Sequence, residues 1–155
     1  MPQFRTTRRV DHSADDMFAL VADVERYPQF VPLCQSLIVR RRATDDQGRE
    51  VVTAAMTIAY RMIRETFTSR VTLDREKRTI TVAYVDGPFS RMNNTWSFTP
   101  TGEGGCEVAF AIDYEFRSRT LGVIMGAVFD RVFRTFSEAF EKRADKVYGK
   151  QAPQA

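Results

Sequence analysis

The chain has 155 residues and a mass of 17.8 kDa, the size of one domain whose folding buries roughly 70% of its unfolded surface. A hydrophobic fraction of 43% and a charged fraction of 28% exclude a disordered chain; two cysteines argue against a disulfide framework or a cysteine-rich zinc site, and one histidine excludes a multi-histidine metal centre. The net charge of +3 is uneven, at +2 for residues 1–43, −3 for 44–116 and +4 for 117–155, so the basic excess sits at the two ends.

Nothing near Met1 has the apolar stretch of a secretory signal, and no apolar run approaches the ~20 residues a bilayer crossing needs. Reduced thiols and a cytoplasmic location are the expectation. Phe4–Asp11 reads as a first strand. Ser13 then caps a helix carrying Met17, Phe18, Leu20, Val21 and Val24, with Asp16 placed to reach back to the cap. His12, beside that cap, is expected on the surface at the strand–helix junction. The stretch Tyr27-Pro28-Gln29-Phe30-Val31-Pro32-Leu33-Cys34 holds two prolines, which permit a short helix or turn and then an exit.

From Leu37 to Arg117 the hydrophobic period is two, divided by turn signals at Asp45–Gly48, Tyr60–Met62, Asp74–Lys77, Asp86–Pro88 and Pro100–Gly105. The last run is the clearest, with Cys106, Val108, Phe110, Ile112, Tyr114 and Phe116 alternating against polar residues. Such alternation marks antiparallel strands with one face buried and one wet. With the first strand they make about seven. Thr120 to Tyr148 changes to helical period, its apolar residues falling in an arc of roughly 140°. The fold class is therefore α+β, a curled antiparallel sheet of about seven strands around a long C-terminal helix, with two short helices after the first strand. Residues 1–148 form the domain, and 149–155 read as a frayed tail.

The Tyr-Pro-x-Phe-Val-Pro-x-Cys stretch, the Asp86-Gly87-Pro88-Phe89 turn and the following Trp96-Ser97-Phe98, set in this element order, resemble the coenzyme Q-binding START-like family. That family belongs to the helix-grip superfamily of polyketide cyclases and lipid-transfer domains, and it includes bacterial ribosome-association toxins. The resemblance covers residues 3–148. It implies non-catalytic binding of an isoprenoid quinone of the ubiquinone type, or a related lipid, in support of respiration, with no catalytic cofactor. A ribosome-associated, translation-modulating protein is the alternative, with Arg40, Arg41 and Arg42 supplying phosphate contacts. A cyclase-like enzyme is the third reading.

No nucleophile elbow, zinc motif, phosphate loop or dinucleotide fingerprint is present. No metal site and no catalytic residue are expected, and DNA is not an expected partner. Polar residues interrupt the inward parity at Arg8, Glu65 and Asn94. Each is either part of an internal ion pair or bulge, or addresses the polar head of a ligand in a cavity between sheet and helix. Glu65 is expected at least partly buried, against Arg8 or the cavity; these two are also the one acid–base pair a cyclase could use.

The expected cavity wall adds Met56, Tyr60, Phe67, Tyr84, Trp96, Phe110 and Tyr114 from the strands, and Gly122, Met125, Gly126 and Phe129 from the helix. Gly122 and Gly126, each costing about 1 kcal/mol in a helix, leave a notch for a ligand or for close packing. Leu121–Phe129 is apolar all round, covered either by the loops bearing Phe30, Val31 and Phe89 or by a membrane or partner. A transient membrane contact, peripheral at the inner membrane, would then use Phe30, Val31, Phe89, Val123 and Ile124, with Arg117 and Arg119 nearby.

Overall fold

The computed structural model describes residues 3–149, so most of the expected tail, from position 150 onward, lies outside the described residues. Strand β1 (Gln3–Val10) leads into helix α1 (Ala14–Ala22) and a 3-10 helix at Val24–Gln29. Six strands follow: β2 (Cys34–Thr44), β3 (Glu50–Tyr60), β4 (Ile63–Asp74), β5 (Thr79–Asp86), β6 (Phe89–Pro100) and β7 (Cys106–Phe116). Helix α2 (Arg119–Tyr148) is the last element among the described residues. Serine caps start both α-helices: Ser13 Oγ accepts from Asp16 N at 3.0 Å, and Ser118 Oγ from Leu121 N at 3.1 Å.

The seven strands form one sheet in the order β1-β7-β6-β5-β4-β3-β2, and every pairing is antiparallel. Strands β2 to β7 are a meander joined by short turns. β1 is the exception, pairing with the last strand, Phe4 opposite Ile112 and Val10 opposite Cys106. The period-two reading gives the correct inner face: Val52, Ala54 and Ile58 of β3 and Val108, Phe110 and Tyr114 of β7 are all buried. Against that face lies the apolar arc of α2, with Met125, Val128, Phe129, Phe133, Phe140 and Ala144 buried. Trp96 joins the two layers, its ring 4.7 Å from that of Phe110 and 5.0 Å from that of Phe140.

His12 departs from expectation. It is only 3% exposed, with Nε2 2.7 Å from Asp145 Oδ1. The last turns of α2 cover the β1–α1 junction, where the Tyr148 hydroxyl also donates to Asp16 O at 3.0 Å. A contact across 133 residues cannot be read from a local capping motif.

The meander sorts its turns between two ends of the sheet. Strands β3, β5 and β7 finish at the same end, where β2 begins and α2 enters. At this end Gly87 (φ 144°) lets the β5–β6 turn lie directly on β4, for a Cβ there would stand 2.5 Å from Phe67 Cβ. Leu33 is tied to the end of β3 by its carbonyl, which accepts from Ala59 N at 3.0 Å.

Candidate ligand cavity

Between the inner face of the sheet, the 3-10 helix and the middle of α2 lies a cavity of about 130 Å³. An engineered apolar cavity of ~150 Å³ accommodates benzene, so this space is on the scale of a single ring. Every strand from β2 to β7 contributes to its wall, because inward side chains of adjacent strands stand side by side. The roof is Phe129, Val132, Phe133 and Phe136, which recur at helical spacing on α2.

Two polar side chains face this otherwise apolar space without being consumed elsewhere. Asn94 Nδ2 donates to Ala111 O at 2.8 Å, which leaves Oδ1 as an acceptor. Ser69 is 7% exposed and brings a hydroxyl from β4. The Tyr27 hydroxyl, also in the wall, is already committed, donating to Val21 O. Burial, reinforced by Cys34 and Asp23, drives its pKa far above the usual phenol range, so it stays protonated. Burial likewise pushes the Cys34 and Cys106 thiols up to about 11, which leaves both thiols protonated and weakly nucleophilic near neutral pH.

Of the residues expected at the site, Met56, Phe67, Asn94, Trp96, Phe110 and Phe129 line the cavity. Tyr114 and Met125 are buried in the adjoining core. The Tyr84 hydroxyl turns toward the β5–β6 turn, accepting from Phe89 N at 3.0 Å. Tyr60 is half-buried at the end of β3, with the Arg61 guanidinium 5.3 Å from its ring centre. Neither Gly122 nor Gly126 is a wall residue of the cavity. A Cβ on Gly122 would make an ordinary 3.7 Å contact with Phe116 Cβ, and one on Gly126 would meet nothing within 4 Å.

Arg8 must also be moved out of the cavity. Its parity is inward, but it lies at the rim of the sheet and pairs with Glu141 of α2 at 2.6 Å, its side chain 42% exposed. Glu65 is half-buried on the inner parity of β4, yet among the described residues it has no ion pair and does not line the cavity. The two therefore do not form an acid–base pair. Three residues assigned to a membrane-facing surface are also corrected. Val31 and Phe89 are 6% and 2% exposed and line the cavity; Phe30 is half-buried, edge-on to Phe140 at 5.0 Å. Each covers the core, as the loops around an apolar helix would. Val123 and Ile124 remain exposed, at 74% and 45%.

The expected site included neither the polar wall residues Tyr27 and Ser69 nor the roof residues Val132, Phe133 and Phe136. The three-residue step from Val24 to Tyr27 matches a 3-10 turn and puts both on the cavity side. Ser69 shares the parity of Phe67 and Val71, so the strand pattern already placed it inward.

A model of the family described as polyketide cyclase / dehydrase and lipid transport matches residues 10–141. A protein of Escherichia coli K12 named ribosome association toxin RatA is 36% identical over 148 residues, covering 96% of this chain and 90% of that one. The solution structure of the 18 kDa protein CC1736 from Caulobacter crescentus superposes with a TM-score of 0.78 at 33% identity, covering 96% and 99% of the two chains. A Xenopus laevis protein named coenzyme Q-binding protein COQ10 homolog B, mitochondrial, is 25% identical over 152 residues, or 96% of this chain and 60% of that one.

Proposed function

Starting from the membership of this chain in the polyketide cyclase / dehydrase and lipid transport family, we propose that it binds the ring of a hydrophobic small molecule, an isoprenoid quinone or similar lipid, without transforming it. The observation that carries this reading is the cavity itself, ring-sized, apolar and furnished with one acceptor, Asn94 Oδ1, and one hydroxyl, on Ser69. An apolar wall with few polar groups is what orients a ring bearing oxygens. At about 130 Å³ the space is on the scale of a ring and too small for a long tail. The tail therefore leaves past Pro32 and Leu33, half-buried wall residues at the end where α2 enters. A ligand of this kind partitions into bilayers, so exchange takes place at a membrane surface. Acid–base cyclisation is not supported, since neither Arg8 nor Glu65 lines the cavity.

Trp96 is the one tryptophan of the chain and stands in the cavity wall. Titration with a short-chain ubiquinone should quench its fluorescence saturably, and mass spectrometry of an organic extract of purified protein should find a prenylated ring compound. Absence of both results would overturn the reading.

A second reading, association with the ribosome, is favoured by the name of the 36% identical relative. Exposed Arg40 and Arg41 have no carboxylate partner among the described residues and could meet phosphates. Arg42 is less available, held by Glu25 at 2.6 Å and Glu50 at 3.2 Å. Co-sedimentation with ribosomes that is lost on Arg40→Glu/Arg41→Glu would support this reading.

A further inference from the structure

Of the seven large apolar side chains exposed among the described residues, four lie at one end of the molecule, while Ile38 is on β2 and Val147 and Tyr148 are at the far end of α2. Met62, at the tip of the β3–β4 hairpin, is 98% exposed; Val85, at the end of β5, is 47% exposed; Val123 and Ile124, in the first turns of α2, are 74% and 45% exposed. All four lie where β3, β5 and β7 finish. Isolated exposed apolar residues need no explanation, but several brought together from three segments do.

The hairpin tip also breaks the local chemistry of its turn. Tyr60 pairs with Ile63, so Arg61 and Met62 form a two-residue loop, a place where Asn-Gly or Asp-Gly is favoured. Here Arg61 takes a φ of +56°, a sterically costly conformation for a residue with a side chain. Met62 gains no burial from folding. Leu33 and Arg78 share this left-handed conformation, but only the β3–β4 turn combines it with an apolar side chain left almost fully exposed.

The surrounding charge indicates the occupant. Among the described residues, Arg61, Arg64, Arg117 and Arg119 are exposed at this end, Arg117 also donating to Phe89 O at 3.0 Å, against one exposed carboxylate, Asp86, while Glu65 and Glu115 are half-buried. Apolar tips among exposed arginines complement a bilayer whose headgroups are anionic. The wall of the cavity reaches the same end at Pro32 and Leu33.

We propose that this end, with Met62, Val85, Val123 and Ile124 as the inserting groups, docks on an anionic lipid surface. The inference rests on the cavity reading for its purpose, because a tail leaving past Leu33 would pass directly into the lipid. The exposure and charge of this end do not depend on what the cavity holds.

Flotation with vesicles tests it, using phosphatidylcholine alone and phosphatidylcholine with a third phosphatidylglycerol. The native protein should float with the anionic vesicles at low salt and be released at high salt. Met62→Asp and Val123→Asp should each lower partitioning about tenfold. Val147→Asp, at an exposed apolar site (51%) near the far end of α2, should not change it. Circular dichroism and Trp96 quenching by the short-chain ubiquinone confirm that each variant is folded with its cavity intact. A native protein that stays with the pellet, or variants that float as it does, would overturn docking whatever the quenching shows. Failed quenching with normal flotation would remove the cavity reading and leave docking standing. Patch variants that lose ribosome co-sedimentation while the native protein ignores vesicles would also refute the lipid assignment.

Discussion

Filling the cavity offers the sharpest test of whether it serves a ligand. Ala54 is 3% exposed and lines it from β3, between Val39 and Ser69 on the neighbouring strands. At ~24 cal/mol per Å³, an empty space of about 130 Å³ forgoes about 3 kcal/mol of stability. Ala54→Leu adds three carbons, each contributing about 0.8 kcal/mol when buried without strain, or about 2 kcal/mol in all. For a domain of this size that raises Tm by roughly 4–8 °C. The same leucine removes the room for a ring, so quenching of Trp96 by a short-chain ubiquinone should disappear. Urea denaturation and fluorescence titration of one preparation measure both quantities. Destabilisation by about 1–3 kcal/mol would mean that the site is already close-packed. A stabilised variant that still binds the quinone would place the ligand elsewhere.

Gly126→Ala should stabilise by about 1 kcal/mol in urea melts with unchanged quenching, because nothing lies within 4 Å of the added Cβ; destabilisation would show that α2 is closely partnered there. Gly87→Ala should cost more than about 2 kcal/mol, since φ is +144° and the new Cβ would meet the Phe67 backbone and Cβ inside 3.0 Å; a neutral result would mean that the β5–β6 turn stands off β4. His12→Ala should cost about 2 kcal/mol by removing the bond to Asp145 from a buried position, whereas an unchanged melt would return His12 to the surface. Cys34 and Cys106 should resist a thiol reagent at neutral pH until the protein is denatured. Their folded pKa of about 11 lies above the ordinary 9.0, so the folded chain keeps protons that the unfolded chain releases. Stability should therefore fall as pH rises from about 9 to 11, and Cys34→Ala/Cys106→Ala should flatten that slope.

By itself the sequence determined the elements and which way their side chains face. Alternation along Val52–Tyr60 and Cys106–Phe116, the step to helical period after Arg117, and the serine caps are local matters. Backbone geometry repeats every two or 3.6 residues, and apolar residues must follow that repeat to be buried. Depth and partnership were decided only by the tertiary structure. Arg8 has the parity of Val10 on the same edge strand, yet one is exposed against Glu141 and the other is in the core, because parity gives direction and not what packs over each position. His12 is packed against residues from the other end of the chain, and Phe89 and Val31 are walls rather than surface, lining the cavity where β6 and β2 begin, with the Phe89 ring 6.4 Å from that of Phe129. The cavity is the residue of all these packings together. Its volume depends on how closely some two dozen side chains meet, and no pattern along one strand carries that sum.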